Sequence, residues 1–169
     1  MKKLHGVRVP HRKDTAACAP ERMPVPPLVV LPMNMHIGAP AKPVVAAGDE
    51  VKVGQLIAEA DGFVSSPVYS SASGKVKKIE EILSSAGKKV PSVFIETDGR
   101  QMPAAFTAPP VTDTKSFLEA VRQSGVVGLG GAGFPTAVKL SVRDLSKIEA
   151  VIINGAECEP YITSDTRTM

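Results

Sequence analysis

Between about residue 28 and residue 98 the apolar positions fall in short runs. They are Leu28-Val29-Val30-Leu31, Pro43-Val44-Val45-Ala46, Gln55-Leu56-Ile57-Ala58-Glu59, Val68-Tyr69-Ser70, Lys75-Val76-Lys77-Lys78-Ile79 and Ser92-Val93-Phe94-Ile95-Glu96. Turn residues separate them, the pattern of short strands closing into a small sandwich or barrel. Gly48-Asp49 ahead of Val51 and Gly54 behind Val53 allow two tight reversals, and Ser73-Gly74 repeats the device before Lys75. From Asp113 the period changes. Phe117, Leu118 and Val121 form one helical stripe behind Thr112 or Asp113 as N-cap, which predicts a helix to about Ser124, stopped by Gly125. A glycine-rich loop follows, then a helix that Pro135 opens at its first position. Ala150-Val151-Ile152-Ile153 reads as a buried strand, and Thr163 and Asp165 as the start of another helix.

This change of period divides the chain into four zones. Residues 1–27, rich in proline and charge, form an extended arm that folds by lying on something else. Residues 28–98 form the β domain. Residues 99–112, with Pro103, Pro109 and Pro110, read as a linker, and residues 113–169 begin an α/β domain. The fold class is therefore α+β / α/β. A domain that stops one strand and one helix-start after its glycine loop looks unfinished, so the chain reads as an N-terminal portion.

Composition narrows the function classes. With 169 residues, 43% apolar and 22% charged, the chain can bury a core, and wholesale disorder is excluded. No window reaches the roughly 18 uninterrupted apolar residues of a membrane span. The start, Met1-Lys2-Lys3-Leu4-His5, lacks the apolar stretch of a signal peptide. Two cysteines, Cys18 and Cys158, do not make a disulfide scaffold and point to a reducing compartment. The net charge is +3 from scattered basic residues, aromatics are 4% and Trp is absent, which gives little support for a nucleic-acid surface.

Three stretches carry candidate chemistry. The first runs from Gly48 through Gly54 to Ser71-Ala72-Ser73-Gly74 and resembles the lipoyl and biotinyl carrier fold, a barrel-sandwich hybrid. A carrier needs a lysine at the tip of the intervening hairpin, because its amine forms the amide to the cofactor. The tip here is Asp61-Gly62-Phe63-Val64-Ser65-Ser66-Pro67, and no lysine lies between Lys52 and Lys75. The carrier function fails on chemistry, leaving a structural or docking module. His36, beside Met35 and Ile37, is expected to be a hydrogen-bonded structural residue.

The second is Gly128-Leu129-Gly130-Gly131-Ala132-Gly133-Phe134-Pro135, a formal G-x-G-x-x-G. Only Val126 and Val127 separate it from the preceding helix, too little for the central strand of a dinucleotide-binding unit, so that reading is rejected. Four glycines in six residues still bring bare amides close to a ligand, above all a phosphate, at the start of a helix. Lys139 adds a positive charge or a hydrogen bond to a ring. A tight connection with packing glycines is the plainer reading, but it explains one or two glycines rather than four.

The third is Asn154-Gly155-Ala156-Glu157-Cys158-Glu159-Pro160 directly after the apolar run. Asn154 offers donor and acceptor to the edge of a heteroaromatic ring. Glu157 and Glu159 either face donors such as ribose hydroxyls in a cleft or are merely solvated. Cys158 between two carboxylates makes a poor thiolate nucleophile, and no base is near in sequence; Cys18 reads as an incidental thiol.

GLGGAGFPTAVK followed by Ile152-Ile153-Asn154-Gly155-Ala156-Glu157-Cys158-Glu159-Pro160 resembles the RnfC subunit of the Rnf-type ion-translocating ferredoxin:NAD oxidoreductase. More distantly it is similar to the flavin-carrying, NADH-oxidising subunit of respiratory complex I. The stretch from His36 to Val44 and on through Ser73-Gly74 resembles the same family's barrel-sandwich segment. The resemblance implies that Gly128, Leu129, Gly130, Gly131 and Gly133 cradle the phosphate region of FMN. It implies that Lys139 and Asn154 touch the flavin and that Glu157 and Glu159 position flavin or nicotinamide. It further implies NADH as substrate, 4Fe-4S clusters in a C-terminal part the chain does not include, and no catalytic acid or base. Other members of the complex would be partners, with ferredoxin reached indirectly, at the cytoplasmic face of the membrane as a peripheral protein. Ala156 stands where the complex I protein has an Asp. The fragment alone is expected to be inactive and to bind FMN weakly or not at all. Two alternatives stay open: a non-enzymatic assembly module of the complex, and a flavin-dependent cobalamin reductase of the same superfamily, in which the modules occur in the opposite order.

Overall fold

A computed structural model describes residues 6, 9–84, 87–129, 131–155 and 159–168. They divide into two compact units, Pro24–Arg143 and the combination of Met1–Met23 with Asp144–Met169.

The first unit is built on two antiparallel sheets. One has the order β1-β7-β6-β3, from Leu28–Pro32, Lys89–Thr97, Gly74–Leu83 and Glu50–Val51. The other has the order β2-β4-β5, from Lys42–Pro43, Leu56–Glu59 and Val68–Tyr69. The long β6–β7 hairpin pairs Gly74 with Thr97 through to Leu83 with Lys89, with an irregularity between Val76 and Lys78. In β7, Val93 and Ile95 are buried in the core, Phe94 is half-buried and Glu96 exposed, while Ser92 is buried as well. The core joins Leu31, Met33, Ala41, Val51, Ile57, Ala58, Val68, Val76, Val93 and Ile95 from both sheets. Each fully buried side chain of this size contributes roughly 1.5–3 kcal/mol over its exposed state. The predicted reversal before Val51 is a tight turn in which Asp49 donates its N–H to the Ala46 carbonyl and accepts the Ala46 N–H on its carboxylate. Ser73-Gly74 is instead a close approach, since a Cβ on Gly74 would lie 2.0 Å from the Glu96 carbonyl oxygen.

The same unit continues past the barrel. Residues 104–112 carry no regular structure, and α1 spans Thr114–Gln123. Of the two expected caps, Asp113 takes the role: its carboxylate accepts the Ser116 N–H at 2.7 Å in a capping box. The helix ends where predicted, with Gly125 at φ 69°. α2 covers only Thr136–Leu140.

In the second unit, residues 13–18 lie against residues 159–167. The Lys13 ammonium donates to the Glu159 carbonyl at 2.8 Å and to that of Ile162. Thr15 and Thr163 share a hydroxyl hydrogen bond of 2.7 Å, and the Arg167 guanidinium donates to the carbonyls of Ala16 and Cys18. A short 3-10 turn, Leu145–Lys147, is capped by Asp144, and α3, Asp165–Thr168, begins where a helix start was expected. The predicted buried strand at Ala150–Ile153 does not form: no ladder joins it among the described residues, and all four residues are exposed. A strand is held by neighbouring backbone, and four apolar residues without one gain neither ladder hydrogen bonds nor burial.

Candidate functional site

The glycine-rich stretch forms a closed loop rather than a strand-to-helix turn. Val127 bridges antiparallel to Pro135; Gly128 donates its N–H to the Phe134 carbonyl at 3.0 Å, and Thr136 donates to Val126 at 3.0 Å. Two sides of a narrow neck are thus fixed, and Leu129, Gly131, Ala132 and Gly133 belong to the bend between them. Leu129 is 90% exposed, and a Cβ on Gly131 would meet nothing within 4 Å. Among the described residues, the amides of Leu129, Gly131 and Ala132 have no protein acceptor. The bend therefore leaves bare backbone donors on exposed residues, the feature an anion requires.

Lys139 completes this edge. A Cβ on Gly128 would lie 2.6 Å from the Lys139 Nζ, so the ammonium rests over the bare glycine at the neck. The loop and its cation fit a phosphate in charge and in access. α2 has five residues and no side-chain cap, so the partial positive charge expected of a helix start is small; donors and the Lys139 charge remain.

The inner side of the loop is seated on the barrel. Gly133 is buried with φ 63°, and its Cβ position lies 2.7 Å from the Met35 carbonyl oxygen, so any side chain there would push the two backbones apart. Ile37 donates its N–H to the Gly133 carbonyl at 3.3 Å. The segment carrying Met35 and Ile37 is in turn stitched to the lysine-free hairpin tip. Ala39 donates to Val64 at 3.0 Å, Ser65 Oγ donates to the Ala39 carbonyl at 2.8 Å, and Gly38 lies so close to Val64 that a Cβ would be 1.9 Å from its oxygen. His36 is buried, as expected of a structural histidine: its Nε2 accepts the Ser66 N–H at 3.2 Å, and its Nδ1 faces the Ile37 carbonyl at 3.2 Å.

The tip and β5 also hold the end of α1. Tyr69 donates its hydroxyl to the Gln123 carbonyl, and the Arg122 guanidinium lies 5.9 Å from the Phe63 ring centre. Burial raises the Tyr69 pKa, which keeps the phenol protonated as a donor. These seating contacts were not foreseen. Gly38 after His36 hinted at a close approach, but nothing in sequence named Val64 as the neighbour.

The expected site residues thus fall into three groups. Gly128, Leu129, Gly131, Gly133 and Lys139 are brought together. Gly130 and Glu157 lie outside the described residues, as does Cys158. Asn154, exposed, and Glu159, half-buried, belong to the other compact unit. There Glu159 serves through its backbone carbonyl, which accepts from Lys13.

Barrel and loop together define a class: a barrel-sandwich hybrid without a carrier lysine, followed by a glycine-rich loop with a lysine at its neck. Residues 2–100 match the RnfC barrel sandwich hybrid domain, and residues 121–169 match the Nuo51 FMN-binding domain. The chain belongs to the RnfC family. It is 44% identical to the RnfC protein of the Na(+)-translocating ferredoxin:NAD(+) oxidoreductase complex of Acetobacterium woodii, over 97% of this chain and 38% of that protein. It is 44% identical to the counterpart in the proton-translocating complex of Clostridium ljungdahlii, over 94% of this chain and 35% of that protein. For the RnfC protein of the ion-translocating oxidoreductase complex of Rhodobacter capsulatus the identity is 40%, over 94% and 32%. The chain therefore spans between about a third and two fifths of the length of these relatives.

Proposed function

We propose that this chain is the barrel and flavin-loop portion of one subunit in a membrane-associated, ion-translocating electron-transport complex, and that it helps to hold FMN. The observation that carries the reading is the exposed bend of bare amides with the Lys139 ammonium at its neck, in a segment that matches an FMN-binding domain. In this reading Gly128, Leu129, Gly130, Gly131 and Gly133 surround the phosphate-bearing tail. The amides orient it, and Lys139 offsets its charge. Gly133 acts from beneath, by keeping the bend against Met35. Asn154, Glu157 and Glu159 are assigned to the ring or the nicotinamide. Bound FMN would supply the exchange of a two-electron hydride with NAD(H) for single electrons passed toward 4Fe-4S centres and ferredoxin. Other members of the complex are the partners. No helix among the described residues is long and apolar enough to cross a membrane, so attachment at the cytoplasmic face through those partners is part of the same proposal.

Gly131 provides the test. Its Cβ position is open, so Gly131→Leu leaves the fold and its thermal transition unchanged while filling the space a ligand would take. FMN titration of the chain by flavin fluorescence should show weak binding, lowered roughly tenfold by Lys139→Ala and lost with Gly131→Leu. In the assembled complex Gly131→Leu should abolish NADH-driven electron transfer. Unchanged FMN binding and unchanged electron transfer in both variants would overturn the proposal.

A further inference from the structure

We infer that His36 is a positioning residue for the glycine loop, acting through a hydrogen-bond relay that begins at the hairpin tip. In lysine-bearing members of this fold the tip presents a cofactor; here it is the anchor for another site. The Ser66 N–H donates to His36 Nε2 at 3.2 Å, which places the ring proton on Nδ1, where it donates to the Ile37 carbonyl at 3.2 Å. The N–H of the same Ile37 donates to the Gly133 carbonyl at 3.3 Å. One buried ring therefore connects the tip to the inner edge of the bend. Ser66 is buried too, so removing the acceptor strands its N–H, and the residues between must shift to find another partner. Gly38 against Val64 and Gly133 against Met35 leave little slack on either side of the ring: the Cβ positions there are 1.9 and 2.7 Å from carbonyl oxygens. A displacement at position 36 is thus passed to Gly133 rather than absorbed. The value of this bracing for flavin binding rests on the function proposed above; the bracing itself does not.

The two nitrogens can be separated chemically. In His36→Gln the side-chain amide reaches the place of Nε2 and can accept from Ser66; in His36→Asn it reaches only the place of Nδ1. Amide hydrogen exchange on the full 169-residue chain reads the relay directly. His36→Leu, which removes both links, should speed exchange at Ile37 and Gly128 roughly tenfold and leave Ile95 in the barrel unchanged, and His36→Asn and His36→Gln, which each keep one link, should fall between it and the original chain. Should His36→Leu fail to fold, the Asn and Gln pair decides alone. Original rates at Ile37 and Gly128 in His36→Leu, or in both His36→Asn and His36→Gln, would overturn the inference. An FMN titration of the same variants should weaken in the order of the exchange rates. Where exchange follows this order but Gly131→Leu leaves FMN binding intact, the relay stands and the flavin reading falls.

Discussion

Val93 and Ile95 in β7 are completely buried, whereas Val151, Ile152 and Ile153 are 81%, 89% and 81% exposed. As stretches of sequence the two are nearly interchangeable: short, β-branched and apolar. Their fates differ because β7 has β1 on one side and β6 on the other, with the second sheet across the core. The run at 151–153 has no ladder partner among the described residues. Apolar character is thus a demand for partners, and whether it is met depends on what else the chain brings alongside.

The sharpest test of this comparison is a pair of truncations. Ile95→Ala should destabilise the barrel by about 2–5 kcal/mol in chemical denaturation, since it opens a cavity in a closed core. Ile152→Ser, the smallest effect expected of all, should stay within about 0.5 kcal/mol of the original chain. A cost at Ile152 comparable to that at Ile95 would show that the exposed run has a partner in solution. Next in size is Gly38→Ala. Its φ of 101° and the Val64 oxygen 1.9 Å from the Cβ position predict a loss of roughly 2–3 kcal/mol, with faster exchange spreading to Ile37. Tyr69→Phe removes only the hydroxyl bond to Gln123. It should cost about 1 kcal/mol and loosen the end of α1 while leaving β6–β7 protected.

A weaker effect is expected at the other end of that helix. The Ser116 N–H and hydroxyl hold the Asp113 carboxyl below its ordinary pKa of 3.8. A folded-state value below the unfolded one means the charged cap supports α1 throughout the pH range above 3.8. That support fades as the pH falls from there through the lower folded value. The Ser116 amide proton shift should therefore separate the original chain from Asp113→Ala at neutral pH and converge with it in acid. A constant separation across the titration would sink the assignment.

Much of the barrel could be read in advance because its signals are local. The runs around Leu56, Val76 and Ile95 are short and bounded by turn residues, and glycines stand at the turns; Asp113 and Gly125 bracket α1 by short-range chemistry that any helix obeys. The run at Ala150–Ile153 misled for the complementary reason: burial is not a local property. The glycine loop lay between these cases. Its bare amides were evident from composition, but its closure through Val127 and Pro135 was not. Nor was the short extent of α2, which removed most of the expected helix-end charge.

By itself, then, the sequence determined that short strands surround the runs at Leu28, Leu56, Val68, Val76 and Val93, where the first helix starts and stops, the absence of a carrier lysine at the tip, and the side-chain-poor bend with Lys139 behind it. Only the tertiary structure decided what the lysine-free tip and its neighbours touch. Contacts among the tip, residues 35–39, the glycine loop, β5 and α1 join positions far apart in the chain, through Val64 to Gly38, Ser66 to His36, Ile37 to Gly133 and Tyr69 to Gln123. Backbone carbonyls and amides make most of these contacts. Every residue carries such groups, so no residue type announces them, and only the folded path of the chain selects which of them meet.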